Sequence, residues 1–169
     1  MNAEQLITIL IPVYNEEDVL EILLTKLDKV TSDLPFKFEF LFVDDGSKDA
    51  TVGILRSAKQ KHNHIRILQL SRNFGKEAAI TAGLHSACGD AVILMDADLQ
   101  DDPEEIPALY KMITNENYDL VSGWKKKRFD SVLFKNIPSK IFNFAARLTS
   151  GIKLNDFNCG LKAFKAEVV

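Results

Sequence analysis

Cysteine is nearly missing from this chain. Cys88 and Cys159 are the only two in 169 residues, and they stand too far apart for a CxxC pair, so neither a disulfide framework nor a zinc site is indicated. Reduced, inert thiols are the expectation. Long hydrophobic runs are missing as well. No uncharged stretch reaches about 18 residues, so no segment reads as a membrane span. The N-terminus has no basic region followed by an apolar stretch, as a secretory leader would. Positive charge is scarce: 21 Lys and Arg stand against 24 Asp and Glu, for a net charge of -3 and a pI of about 5.6. Nothing global favours a nucleic-acid partner, and any anion has to be bound locally.

The common phosphate-binding loops are also absent. No GxGxxG follows the first apolar run and no GxxxxGK[ST] occurs, since Gly75-Lys76 lacks both the upstream glycine and the following hydroxyl. If a phosphate group is bound, its charge must be met mainly by metal. Repeats, low-complexity tracts and internal linkers are not found. With 46% hydrophobic and 27% charged residues, the chain fits one domain able to bury a real core.

What the chain does contain is strand followed by helix, repeatedly. Residues 6–13, 36–43, 65–70, 91–95 and 119–122 are apolar or β-branched runs that read as strands. Phe36, Phe38, Phe40 and Phe42 alternate with a period of two, which predicts one large buried face. Asn15 is placed to cap a helix whose first turn holds Glu16, Glu17 and Asp18 and whose stripe is Val19, Leu20, Leu23, Leu24 and Leu27. Ser47 or Asp49 is expected to cap a second helix ending near Lys61. Residues 78–86 form a third, and Pro103 starts a fourth running to about Thr114. This alternation predicts an α/β fold: a mostly parallel sheet with right-handed crossovers and helices on both faces. Loops that follow strands then share one edge, so residues 12–16, 44–47, 71–76 and 96–102 converge on one crevice.

Those loops carry the unusual residues. In Asp96-Ala97-Asp98-Leu99-Gln100-Asp101-Asp102-Pro103 a buried strand opens into an acidic loop, and the period-two pleat would point Asp96 and Asp98 the same way. Two carboxylates so paired suit Mg2+ or Mn2+, which complete their octahedra with water and phosphate oxygens. Taken alone, Asp-x-Asp is also an ordinary solvated turn. Asp44 and Asp45 after the second strand would repel phosphate but accept hydrogen bonds from a ribose hydroxyl or a base N–H. Pro12-Val13-Tyr14-Asn15-Glu16 offers an aromatic face and a carboxylate to frame a base, or only a helix entry. His62, His64 and His85 fall away from the crevice and read as surface or packing residues.

Beyond Trp124 the pattern changes. Residues 125–128 are all cationic, and residues 131–150 set Phe134, Ile137, Ile141, Phe142, Phe144 and Leu148 among Lys135, Lys140 and Arg147. This pattern predicts an amphipathic helix kinked at Pro138, either packed on the core or serving as a lid at an anionic membrane surface. The sequence stops at Val169 without a turn or cap, and the chain is expected to be the front part of a longer polypeptide.

The ordered set Ile11-Pro12-Val13-Tyr14-Asn15-Glu16, Val43-Asp44-Asp45-Gly46-Ser47, Arg72-Asn73-Phe74-Gly75-Lys76 and residues 96–103 resembles family 2 glycosyltransferases of the GT-A fold. Asp98-Leu99-Gln100-Asp101 and Asn158-Cys159-Gly160-Leu161-Lys162 look like the branch that transfers a sugar to a polyisoprenyl phosphate, as dolichol-phosphate mannose synthases and bactoprenol-phosphate glucosyltransferases do. The resemblance covers nearly the whole chain. It implies one GT-A catalytic domain over residues 1–169, cut short at its C-terminal, membrane-anchoring end. By the same resemblance Pro12, Tyr14, Glu16, Asp44, Asp45, Lys76 and Asp96 bind a nucleotide-sugar, a UDP-sugar being favoured. Asp96, Asp98 and Gln100 surround the Mg2+ or Mn2+, and Asp98 and Asp156 stand at the reacting sugar and acceptor. The family often has Arg where this chain has Lys162 and Trp124, so Arg128, Lys135 and Lys162 are all candidates for binding the acceptor phosphate. The implied reaction is an inverting displacement by a polyprenyl phosphate at the cytoplasmic face of a membrane, this fragment itself being soluble. A phosphate with a second pKa of about 6 needs little help from a base. A sugar hydroxyl acceptor, the nearest rival, would need one. A non-catalytic nucleotide-sugar binding module is the rival from another class.

Overall fold

The computed structural model describes residues 5–116, 118–123 and 159–169. The amphipathic segment 131–150, Trp124, Arg128, Lys135 and Asp156 lie outside them. The first run is β1 (Leu6–Val13), followed by α1 (Leu20–Ser32), β2 (Lys37–Asp44), α2 (Thr51–Lys61), β3 (Ile65–Gln69), α3 (Lys76–Ser86) and β4 (Ala91–Leu94). A 3-10 turn over Pro103–Glu105 leads into α4 (Ile106–Asn115), and β5 (Leu120–Ser122) and β6 (Lys162–Lys165) complete the sheet. Strand order is β3-β2-β1-β4-β6-β5.

The four strands β1 to β4 are parallel, as the strand–helix alternation requires, with Val13 paired to Asp44 and Leu10 to Leu94. The exception is β6, which enters between β4 and β5 and runs antiparallel to both. Its reversed direction brings its first residues, preceded by Cys159-Gly160-Leu161, to the same sheet edge as the loops after β1 and β4. The sequence treated this stretch only as a short apolar element, because four residues of alternating type carry no sign of direction.

The sheet is covered on both faces. Ile7, Ile9, Ile11, Phe40, Phe42 and Ile93 pack with Leu20, Leu23 and Leu27 of α1, Leu55 of α2 and Ile106, Leu109 and Ile113 of α4. The opposite pleats, Leu10, Leu41, Val43, Val92 and Leu94, meet Ala79 of α3 and its partly buried neighbours Ile80 and Leu84. Of the alternating phenylalanines, Phe40 and Phe42 are fully buried and Phe36 and Phe38 partly so. Burying one such ring contributes about 1.5–3 kcal/mol. Glu39, buried in β2, is compensated by Thr8 Oγ1 at 3.0 Å and Arg66 Nη1 at 2.7 Å, so an otherwise costly charge joins three strands.

One helix entry differs from expectation and the other agrees with one of its two candidates. Helix α1 begins at Leu20 with Val19 at its N-cap and no side-chain cap; Asn15 instead lies at φ +55° and binds across to the next loop. Helix α2 begins at Thr51, with Asp49 Oδ1 accepting the Thr51 N–H at 3.0 Å, while Ser47 is engaged elsewhere. Tertiary partners claim Asn15 and Ser47, while Asp49, the other candidate, binds locally at the start of α2.

Gly46 turns the chain after β2 at φ +75°, and a Cβ there would lie 2.6 Å from the Arg72 carbonyl carbon and 2.7 Å from the Asn73 nitrogen. Both obstacles are backbone, so neither can rotate away. Gly46→Ala is therefore expected to destabilise the domain by about 2–3 kcal/mol, read as a lowered urea midpoint at unchanged slope.

Candidate functional site

In this sheet the strand order reverses between β1 and β4: the chain goes from β1 outward to β2 and β3, then returns to lay β4 on the other side of β1. Crevices beyond the carboxyl ends of strands at such a point are where open α/β sheets bind ligands. A cleft of about 230 Å3 opens there, lined by Pro12, Val13, Tyr14 and Glu16, by Asp45, by Asn73, Gly75, Lys76 and Ala79, and by Asp96, Ala97 and Asp98. All four parallel strands thus send their following loop, or the helix after it, to one place.

The loops after β1 and β2 are laced together. Asn15 N donates to Ser47 Oγ at 2.9 Å, Lys48 N to Asn15 Oδ1 at 2.8 Å, and Glu16 N to Thr51 Oγ1 at 2.8 Å. This fixes Tyr14, 40% exposed, and Glu16 at the cleft wall. Asp45 ties the β2 loop to the β3 loop, its carboxylate accepting the Phe74 N–H at 2.7 Å and the Gly75 N–H at 2.9 Å. Asp44, fully buried, accepts the Ser47 N–H at 3.0 Å through Oδ1, while its Oδ2 has no hydrogen-bond partner. Of this pair, Asp45 is the one that lines the cleft.

Across the cleft, Lys76 Nζ reaches Asp96 Oδ1 at 2.6 Å. Asp98 Oδ1 accepts the Gln100 N–H at 3.0 Å, a contact made possible by Leu99 at φ +61°. Gln100 is exposed, and its main-chain N–H helps to place Asp98. Asp102 caps the 3-10 turn through the Glu104 N–H at 3.1 Å. Gly160 sits against these carboxylates: a Cβ there would collide with the carboxylate of Asp96 and lie 2.7 Å from Asp101 Oδ2. Lys162 opens β6 at the same edge, half-buried and paired with Leu94 and Ser122.

Charge is unevenly shared. Four carboxylates, Glu16, Asp45, Asp96 and Asp98, face one lysine among the lining residues. Glu16 registers the excess: burial, then the charges of Asp98, Asp49 and Asp96, push its carboxyl above the ordinary value of 4.5. Oxygen donors crowded in this way fit a hard divalent cation, with Asp96 and Asp98 the residues to hold it. At the rim, Phe74 is 52% exposed with the Arg72 guanidinium 4.8 Å above its ring.

Pro12, Tyr14, Glu16, Asp45, Lys76, Asp96 and Asp98, singled out in the sequence, all line this cleft. Asn73, Gly75 and Gly160 were quoted there only as parts of motifs; the last matters because it leaves room for Asp96. Thr51, which fixes Glu16, carries no signal in the sequence because its partner is 35 positions away.

Known proteins resemble this chain in sequence and fold. The model of the family described as glycosyl transferase family 2 matches residues 8–169. An undecaprenyl-phosphate 4-deoxy-4-formamido-L-arabinose transferase of Pseudomonas syringae is 40% identical over 164 residues, covering 96% of this chain and 48% of that protein. A dodecaprenyl-phosphate galacturonate synthase of Rhizobium johnstonii is 35% identical over 164 residues, with the same coverage of 96% and 48%. The chain spans about half the length of these curated relatives. Among solved structures, a mannosyltransferase from Pyrobaculum calidifontis in complex with GDP-Man and Mn2+ superposes with a TM-score of 0.71 at 23% identity, over 99% of this chain and 46% of that one. A glucosyl-3-phosphoglycerate synthase from Mycobacterium tuberculosis in complex with UDP gives 0.73 at 20% identity, over 97% and 58%. These likenesses carry the GT-A fold, an α/β sheet of this mixed kind. With its acidic cleft at the β1/β4 switch point and a family match running almost from end to end, the chain belongs to glycosyl transferase family 2.

Proposed function

We propose that the chain is the catalytic part of a glycosyltransferase that moves a sugar from a nucleoside-diphosphate sugar, a UDP-sugar by preference, to a polyprenyl phosphate. The observation that carries this reading is the convergence of Glu16, Asp45, Asp96 and Asp98 on the switch-point cleft beside one lysine. Such a charge balance repels a bare diphosphate and accepts one that arrives with a divalent cation. The acceptor class is supported by relatives at 40% and 35% identity whose names specify undecaprenyl and dodecaprenyl phosphate. The exposed Phe74 with Arg72 stacked on it supplies an apolar and cationic rim suited to a lipid phosphate.

In this mechanism Pro12 and Tyr14 form the wall for the base, and Glu16 and Asp45 accept hydrogen bonds from ribose hydroxyls or a base N–H. The unpartnered Oδ2 of Asp44 is a further acceptor next to them. Asp96, Asp98 and Gln100 would hold Mg2+ or Mn2+, the Gln100 N–H also keeping Asp98 oriented. When bound, the ion supplies Lewis-acid stabilisation of the charge that develops on the departing nucleoside diphosphate. Lys76, whose Nζ stands 2.6 Å from Asp96 Oδ1, would meet the charge of the diphosphate beside those carboxylates. The acceptor oxygen attacks the anomeric carbon from the face opposite the leaving group, and configuration inverts. A phosphate acceptor is already ionised at neutral pH, which leaves Asp156 to orient rather than to deprotonate it. Arg128, Lys135 or Lys162 meets the acceptor's charge. The rest of the polypeptide, in this reading, anchors the domain at the cytoplasmic face of a membrane; among the described residues no helix is long and apolar enough to cross one.

A thermal-shift screen of UDP-, GDP- and dTDP-sugars with and without Mn2+ identifies the donor, because a ligand bound by the native state raises the melting temperature. Transfer of labelled sugar to a short-chain polyprenyl phosphate, and not to oligosaccharides, is the expected outcome with the full-length protein. Loss of preference for the lipid phosphate would overturn the acceptor assignment.

Asp98→Asn should lower Mn2+-dependent turnover on the order of a hundredfold while shifting the melting temperature little, since Asp98 is exposed. Gly160→Ala should weaken Mn2+ binding about tenfold by displacing the Asp96 carboxylate, measured by calorimetric titration.

For Glu16 the sign follows from its raised pKa. Above that pKa the folded protein holds a crowded charge that the unfolded chain does not, so stability falls as pH rises from the ordinary carboxylate range through the raised value. Glu16→Gln is expected to raise the melting temperature of the metal-free chain at neutral pH, with the gain vanishing in acid where both states carry a protonated Glu16. An equal gain at every pH would refute the crowding.

A further inference from the structure

On the sheet edge opposite the cleft, Asp28 of α1, His62 at the end of α2 and His64 just before β3 present ligand atoms that all lie within 4.8 Å of one another. The two histidines read in sequence as surface or packing residues, because the third member of the group lies far upstream. Folding brings it to them. His64 Nε2 stands 3.3 Å from Asp28 Oδ1, and His62 Nδ1 stands 3.8 Å from Asp28 Oδ2. We propose that these three side chains form a binding site for a borderline divalent transition-metal ion, with Zn2+ as the reference ligand, separate from the cleft cation.

The donor set selects the metal. Two imidazole nitrogens and one carboxylate oxygen suit Zn2+, Ni2+, Cu2+ or Co2+, whereas Mg2+ and Mn2+ favour oxygen. Around a tetrahedral ion with bonds of about 2.0–2.1 Å, neighbouring ligand atoms stand about 3.3 Å apart. The 3.3 Å from His64 Nε2 to Asp28 Oδ1 matches that, and the 3.8 Å from His62 Nδ1 to the other oxygen, Oδ2, has to shorten slightly. His64 Nε2 is shielded from solvent and makes no hydrogen bond despite its nearness to the carboxylate, so in the tautomer protonated at Nδ1 it is available to an ion.

Placement is rigid where it matters. The backbone around the histidines is fixed by His62 N to Ala58 O at 3.0 Å, Ile65 N to His62 O at 3.2 Å and Phe40 N to His64 O at 2.9 Å. Phe40 also packs edge-on against the His64 ring, with centroids 4.6 Å apart and an 83° interplanar angle. The side chains themselves are 36–40% exposed, so small ring rotations can bring the three atoms onto one ion while water fills the fourth position. Lys37 lines the same hollow and adds the nearby positive charge that the ion must overcome. A bound ion would clip α1 to the turn between α2 and β3, and its binding energy would add to the stability of the folded state.

The test uses the chain in a D96N/D98N background, which removes the cleft carboxylates, freed of metal with a chelator and titrated with ZnCl2 by calorimetry at neutral pH. One ion per chain is expected, with a Kd of about 10 µM or tighter and a rise in melting temperature as zinc is added. Adding His62→Gln and His64→Gln, or Asp28→Asn, should weaken binding at least about tenfold with an unchanged circular dichroism spectrum. No binding at about ten times that Kd, or equal binding after the histidines are replaced, would overturn the site and leave the group as a plain histidine–carboxylate ion pair.

Discussion

Everything at the cleft depends on holding carboxylates of like charge close together without a counter-ion for each. Main-chain amides do most of this. Asp45 takes two N–H groups from the β3 loop, Asp98 takes one from Gln100, Asp44 one from Ser47 and Asp102 one from Glu104. A hydrogen bond to a charged group contributes about 1.5–3 kcal/mol, enough to fix each side chain's direction while leaving the summed charge in place. Among the described residues, Asp96 is the cleft carboxylate paired to a lysine. Glu16, with burial and three acidic neighbours against it, is the group that registers the cost.

In the proposed function that cost is what makes the cleft selective for a cation-bound ligand. A surface turn with the same residues would be solvated and indifferent. Here the strands deliver the acids to the point where β4 leaves β1's other neighbours, and the residues between them, Val13, Ala79 and Ala97, are apolar. A cation entering this place gains more than it would in water, because the local dielectric is lower. Gly160 belongs to the same design. Its missing side chain is the space Asp96 occupies, so an antiparallel strand from the far end of the chain helps to shape the acidic site.

The second metal site we propose is built on the opposite principle. Asp28, His62 and His64 sit at the amino edge of the sheet on half-exposed side chains, with one carboxylate only. Hard and borderline cations would thus be sorted by donor type, oxygen at one edge and nitrogen at the other.

The sequence by itself determined the α/β class, four parallel strands and the edge where the acidic loops meet, since these follow from apolar runs, their alternation with helical stripes and the handedness of crossovers. It also marked Pro12, Tyr14, Glu16, Asp45, Lys76, Asp96 and Asp98, because motifs are local. Only the tertiary structure decided that Asn15 and Ser47 bind each other's loops instead of capping helices, that Asp45 and not Asp44 lines the cleft, and that β6 slips in reversed beside β4. It alone brought Thr51 to Glu16, Gly160 to Asp96 and Asp28 to His64. The reason is physical: periodicity and capping report interactions within a few residues, whereas these contacts join groups far apart in the chain, whose meeting depends on how every intervening element packs.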